Sequence, residues 1–249
     1  MVKRHQATRP APFDELARNA ASPWLLPVVA LDWGFEWAAF VLGKWAFLEV
    51  LEYLGKFSVL IAVIFYFVES GDRIKQRHYQ AWQVINTAQG KGGNGGRIEA
   101  LQELNADKVP LVGVDVSSAF LQGLNLEHAN LLRSDFSSAD LRNSRLAGVD
   151  FTLATLNTAN LRGAILDGAN CAGTDLRNAD LEGARLTAAS LSGTMLDNAD
   201  LQGADITDIR WQQLKSLKGA NIAGVRNAPA GFVKWALDHG AVDQPAPDQ

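Results

Sequence analysis

The residues best suited to nucleophilic or metal chemistry are few: Cys171 and the histidines His5, His78, His128 and His239. A cysteine nucleophile acts as its thiolate, which a nearby base or cation must help to form. Cys171 instead falls on a position that is large and apolar every five residues, so it reads as a small buried hydrophobe. As the single cysteine it excludes an intrachain disulfide and a cysteine-rich zinc site, and it accords with a reducing compartment. The histidines lie far apart, without metal-site spacing, and His78 reads as a helix-surface residue. The run Gln89-Gly-Lys-Gly-Gly-Asn-Gly-Gly96 sets glycines beside a lysine, as a phosphate loop does. It lacks the Gly-x-x-x-x-Gly-Lys-Ser/Thr spacing and a preceding strand, so it reads as a flexible linker. Aspartates and asparagines are frequent, but their fixed recurrence makes a pair of them no sign of acid–base catalysis. The expectation is a protein that is not an enzyme and holds no cofactor or metal.

The elements that carry these residues follow a period of five. From Leu111 through Leu121, Leu141, Leu161, Leu181 and Leu201 to Ile206 and Trp211, 21 successive fifth positions are nearly all large and apolar. Two residues earlier the side chain is small or β-branched, as at Ala129, Ala139, Ala159 and Ala179, with Leu124 the exception. Asp or Asn often lies between, and Gly, Ser or Asn often follows two residues after the centre. A period of five fits neither a helix nor a strand. A chain that turns a corner every five residues points every leucine inward, and four corners close a square coil of 20 residues. Glycine and asparagine suit the corners because they tolerate unusual dihedrals.

The motifs Ala-Asn-Leu at 129–131 and 159–161 and Ala-Asp-Leu at 139–141, 179–181 and 199–201 resemble the pentapeptide-repeat family. The resemblance covers about residues 109–226 and implies an all-β solenoid, a right-handed quadrilateral β-helix. Twenty centres from 111 to 206 predict five coils, a rod about 24 Å long at the spacing of β-strands. Solenoid ends need covers. A helix over 97–105 suits the first end. At the other, Ala220-Asn-Ile222 resumes one residue out of phase, and a helix with Phe232, Trp235 and Ala236 on one face ends near Gly240. It is expected to cap the coil, and Phe232 and Trp235 are candidate cap or dimer contacts.

A 20-residue coil stacks Asp140, Asn160, Asp180 and Asp200 on one face, with Arg142 and Arg162 beside them, and Arg145 and Arg185 on the neighbouring face. The first six are the candidate partner face. Some quinolone-resistance members of the family resemble DNA and bind gyrase, which demands a strongly acidic rod. The chain carries 23 basic and 27 acidic side chains, a net −4, and the part after residue 104 carries −5 with arginines scattered through it. A mixed solvated face fits better. The mild acidity also gives no reason to expect nucleic acid.

The N-terminal part obeys other rules. Trp24, Trp33, Trp37 and Trp45 fall in one short stretch. The window from Val50 to Val68 holds twelve Leu, Ile, Phe or Val residues, worth about −5 kcal/mol toward membrane insertion. Glu52 and Lys56 oppose this near one end, where long side chains snorkel. Trp24–Leu42 fares worse. Asp32 and Glu36 near its middle cost about 5 to 7 kcal/mol, and Pro27 and Gly34 weaken a helix, so an interfacial segment is expected there. One spanning helix is the leading expectation; a two-helix hairpin and a buried hairpin in a soluble bundle or oligomer are the alternatives. Arg73, Lys75 and Arg77 after the apolar run put the C-terminal side in the cytoplasm, although the N-terminus is also positive, as a hairpin would require. Ile74, His78, Trp82 and Ile85 share a helical face, a stalk suited to packing on a second copy.

The organisation expected is a flexible tail over 1–23 and an interfacial, transmembrane and juxtamembrane region over 24–88. A glycine linker over 89–96, the repeat domain with its first cap over 97–226 and the terminal cap and tail over 227–249 follow. The function expected is a scaffold tethered to the inner or plasma membrane, its repeat domain cytoplasmic and facing an unidentified protein partner. Self-association through the N-terminal helices or the C-terminal helix is compatible with it. A gyrase-binding DNA mimic is the alternative, and an oligomeric pore or sensor with the repeats as regulatory cap is a weaker one.

Overall fold

The computed structural model describes residues 9–18, 26–44, 46–87 and 93–244. Residues 1–8, 19–25, 45, 88–92 and 245–249, with half of the expected linker, the segment start, Trp45 and the last residues of the tail, lie outside these. The chain forms two compact units, Met1–Arg73 and Ile74–Gln249.

The N-terminal unit contains α1 (Phe13–Arg18), α2 (Leu26–Lys44) and the start of α3 (Ala46–Thr87). Residues 9–18, within the expected flexible tail, pack against α2. Trp33 Nε1 donates to Ala11 O at 2.9 Å, and the Phe13 and Trp33 rings lie 5.5 Å apart. Pro27 does not break α2, because it is the second helical residue, where an amide N–H has no intrahelical acceptor to lose. Gly34 is carried inside the unbroken helix.

In the second unit, parallel bridges join residues 20 apart, from Asp115↔Asp135 to Ser190↔Arg210. One repeat shows how every amide of an edge is satisfied. Leu161 N donates to Asp180 O in the next coil at 2.7 Å, and Gly163 N to Glu182 O at 3.0 Å. Ile165 N donates back to Ser144 O at 2.9 Å, and Ala164 N closes a turn on Leu161 O at 2.9 Å. The remaining donor, Arg162 N, is taken by the Asn160 side chain at 3.1 Å. The residue two after each centre, from Gly113 to Asp208, has a φ between 52° and 73°. This left-handed step turns the corner and explains the Gly, Ser and Asn there.

The centres and the small residues two before them form one buried column, joined by Leu124 despite its size. Phe136 and Phe151 meet edge to face at 5.8 Å inside it. Buried hydroxyls are satisfied by backbone carbonyls: Thr174 Oγ1 donates to Phe151 O at 2.8 Å and Thr194 Oγ1 to Cys171 O at 2.7 Å. Past Arg210 the bridge step becomes 21 residues, as in Met195↔Ser216 and Asp200↔Asn221. The one-residue phase shift before Ala220 is therefore accommodated in the segment from Trp211 to Lys215.

At the first end, α4 (Arg97–Ala106) buries Ala100, Leu101 and Leu104 in the core cluster. It also serves the exposed edge: Gln102 Oε1 accepts from Asn125 N at 3.0 Å, and Asn105 Nδ2 donates to Glu127 O at 3.1 Å. Residues 93–96 of the expected linker form the turn into α4. Their carbonyls are used, Gly93 O by Phe120 N and by the guanidinium of buried Arg97. The stripe on α3 does not need a second copy as partner. Ala81 and Ile85 are buried in the same cluster as Leu101 and Leu104, with Trp82 against it, while Ile74 is exposed. His78 Nε2 lies 2.7 Å from Asp107 Oδ2, and Arg77 reaches Glu103 at 3.4 Å. The apolar stripe found its complement in the open end of its own coil.

At the other end, α5 (Phe232–Asp238) buries Phe232 and Ala236. Trp211 packs on Phe232 at 5.5 Å and on Trp235 at 5.0 Å. The chain then returns to the ladder, with Ile222 N donating to Val242 O at 2.8 Å.

Candidate protein-interaction face

The recurrent Asp and Asn residues hold the backbone. Thirteen of them accept a hydrogen bond from the N–H two residues on, the amide that the inter-coil ladder leaves unserved. Sequence reasoning noted their recurrence but not this role. The signal was present: a short acceptor always placed two residues before the same amide.

The expected stack is formed. Asp140, Asn160, Asp180 and Asp200 pair in register as parallel bridges, continuing to Asn221. Arg142 forks onto Asp140, Nε to Oδ1 at 2.8 Å and Nη2 to Oδ2 at 2.6 Å. Arg162 reaches up one coil, 3.5 Å from Asp180 Oδ2 and in contact with Glu182. One oxygen each of Asp180, Glu182 and Asp200 lie within 4.8 Å of one another. Arg162 already supplies positive charge to two of the three, so the cluster is an ion-pair network. On the neighbouring face Arg145 binds Glu127, Nε to Oε1 at 2.8 Å, and Arg185 binds Asp167, Nε to Oδ2 at 2.7 Å. Arg177 repeats the fork on Asp175.

The electrostatics follow from these contacts. The Arg142 side chain holds the Asp140 carboxyl below the usual carboxylate range, and Arg177 does the same for Asp175. Burial, reinforced by the charge of Asp150, pushes the Cys171 thiol up to about 12. A thiol so raised is neutral and unreactive at physiological pH. Of the histidines, His5 lies outside the described residues. His78 pairs with Asp107, His128 stands on a left-handed corner, and His239 stacks on Trp235 at 4.2 Å. The structure thus brings the six face residues together and separates Phe232, which is buried, from half-buried Trp235.

A square coil with a 20-residue turn, an inward column of leucines and solvent-facing ladders of polar side chains defines a solenoid. The profile described as "Pentapeptide repeats" matches eight copies, within residues 111–148, 134–170, 144–183, 156–193 and 174–210. Residues 111–210 are pentapeptide repeats, and such repeats imply a right-handed quadrilateral β-helix. Among solved structures, the chain is similar to a pentapeptide repeat protein, Rfr23, from the cyanobacterium Cyanothece 51142. The two are 37% identical over 40% of this chain and 65% of that one, with a TM-score of 0.35. The chain thus spans just under two thirds of that relative. It is also similar to a pentapeptide repeat protein of the Arabidopsis thaliana thylakoid lumen, at 23% identity over 53% of this chain and 78% of that one (TM-score 0.29). A third is QnrB1, a plasmid-mediated fluoroquinolone resistance protein, at 21% identity over 46% of this chain and 58% of that one (TM-score 0.25). No curated protein matches the chain.

Proposed function

We infer that this chain is a non-enzymatic, membrane-tethered scaffold whose pentapeptide-repeat β-helix presents the face of Asp140, Arg142, Asn160, Arg162, Asp180 and Asp200 to a protein partner. The observation that carries the tether is the surface of α3. Its large apolar side chains, including Leu54, Phe57, Val59, Leu60, Ile61, Val63, Ile64 and Phe65, are exposed in the folded chain. A patch of this size and continuity needs a cover, and the helix is long enough to cross a bilayer, which takes about 20 residues. Arg73, Lys75 and Arg77 follow it, so the repeats lie on the cytoplasmic side of the inner or plasma membrane.

α2 is also apolar enough to be a candidate span. It is interfacial, because the polar segment with Arg9, Asp14 and Glu15 packs at its middle, on Trp33 and Trp37. A spanning α2 would drag those charges into hydrocarbon. The twenty centres from Leu111 to Ile206 make five coils, and α5 is their C-terminal cover. Self-association falls to the N-terminal helices, since Phe232 of α5 is buried in its own chain. The DNA-mimic alternative is disfavoured by the arginines that neutralise Asp140, Asp167, Asp175 and Glu182.

The test is membrane fractionation with an alkaline wash. The full chain should stay with the membrane and a chain beginning at Ile74 should be soluble. The cut lies before Ala81 and Ile85 because these belong to the repeat unit's core. Release of the full chain by the wash overturns the tether.

A further inference from the structure

The N-terminal unit contains a cavity of about 600 Å³ between the segment from Arg9 to Glu15 and the middle of α2. Its size is that of a small-molecule site. Its walls are aromatic: Phe13 tilts on Trp33 at 5.5 Å, and Trp33 meets Trp37 edge to face at 6.3 Å. The bond from Trp33 Nε1 to Ala11 O fixes the segment that carries the charged lining. That lining is one guanidinium and one carboxylate, Arg9 and Glu15. Arg9 lies 5.7 Å from the centre of the Trp37 ring. Among the described residues neither charge has an ion-pair partner, and they do not pair with each other.

Two opposite charges held apart in an aromatic cavity call for a ligand that carries both. Inorganic phosphate would satisfy Arg9 and meet repulsion from Glu15; a simple amine would do the reverse. A phosphodiester joined to an ammonium satisfies both, with the phosphate on the guanidinium and the ammonium on the carboxylate and the ring faces. The apolar exposed residues Val28, Leu31 and Phe35 of α2 offer a surface for acyl chains, and tryptophans favour the depth of lipid head groups.

We propose that this cavity binds the head group of a zwitterionic phospholipid, its phosphate against Arg9 and its ammonium against Glu15. The proposal rests on the interfacial reading of α2. The same head-group chemistry exists in soluble form as phosphoethanolamine, so the test separates the two sources.

The full chain in non-ionic detergent is titrated, with native mass spectrometry as readout, against phosphatidylethanolamine, phosphatidylglycerol and free phosphoethanolamine. The expected result is that phosphatidylethanolamine binds more tightly than the other two. Arg9→Gln and Glu15→Gln should each weaken it about tenfold, equivalent to about 1.4 kcal/mol, with thermal unfolding unchanged. Equal binding of phosphatidylglycerol, or undiminished binding by either variant, overturns the proposal. Equally tight binding of free phosphoethanolamine overturns the lipid assignment. An alkaline wash of the wild-type chain from membranes reads the tether separately, since the detergent titration reports on the cavity whether or not α3 spans.

Discussion

Arg142 holds Asp140 three times over: Nε on Oδ1 at 2.8 Å, Nη2 on Oδ2 at 2.6 Å, and its own amide on Oδ1 at 3.2 Å. The two residues are separated by a single position, so the pair forms within one repeat and needs no other coil. Arg177 and Asp175 reproduce it. On a half-exposed surface such a fork adds order to the face more than stability.

The pair sets a pH dependence. Hydrogen bonds from Arg142 and Arg177 depress the Asp140 and Asp175 pKa values. A depressed carboxylate contributes stability above its unfolded pKa, about 3.9, and loses it as pH falls through the folded value. Carboxyl NMR titration should place both aspartates below that figure, and Arg142→Gln should return Asp140 toward it. Denaturation midpoints should fall more steeply below about pH 4 in the wild type than in the variant.

The backbone role of the acidic positions is tested at Asp135, whose Oδ1 accepts from Ser137 N at 2.8 Å. Asp135→Asn keeps the acceptor and should leave urea stability unchanged. Asp135→Ala removes it and should cost about 0.5–1.5 kcal/mol. Equal losses in both variants would show that charge, not the hydrogen bond, matters there.

Thr158 stands on a left-handed corner with a φ of 57°, which is unfavourable for a β-branched residue. Thr158→Gly should raise stability by about 0.5–1 kcal/mol, the relief of the left-handed penalty less the added entropy of the unfolded chain. Thr158→Val, which removes the hydroxyl and keeps the branch, should show no gain. Chemical denaturation of both variants decides.

Cys171 should resist thiol reagents in the folded protein and react on unfolding, because burial raises its pKa to about 12. The sign for stability is opposite to that of the aspartates. The stabilisation is complete below the unfolded thiol pKa, about 8.5, and is lost as pH rises toward the folded value, because only the unfolded chain can ionise. Rapid labelling of native protein at neutral pH would place the side chain outside the column.

Much of the solenoid is legible in the chain because each repeat solves the same local problem. Leu161, Ala159 and Gly163 state inward, inward and corner within five residues, and repetition removes the ambiguity that one such segment would carry. The stack from Asp140 to Asp200 followed from the 20-residue turn alone. The stripe of Ile74, His78, Trp82 and Ile85 was legible as an apolar face but not as to its partner. Periodicity says that a face must be covered, and nothing in it says by what; Leu101, Leu104 and the open coil did so. The segment from Arg9 to Arg18 carried no pattern at all, since its contacts with α2 come from Trp33 and Phe13 meeting across the chain.

The sequence by itself determined the period, the inward column, the corners and the apolar length of α3, because these depend on neighbours within a few residues and on composition. Only the tertiary structure decided which acids of neighbouring coils Arg145, Arg162 and Arg185 bind, that Ala81 and Ile85 of α3 pack with Leu101 and Leu104, and that Arg9 and Glu15 share one aromatic cavity. Those are contacts between segments remote in the chain or choices among equivalent polar neighbours. Their energies arise only once the coils have stacked and the groups have come within a few ångströms of one another.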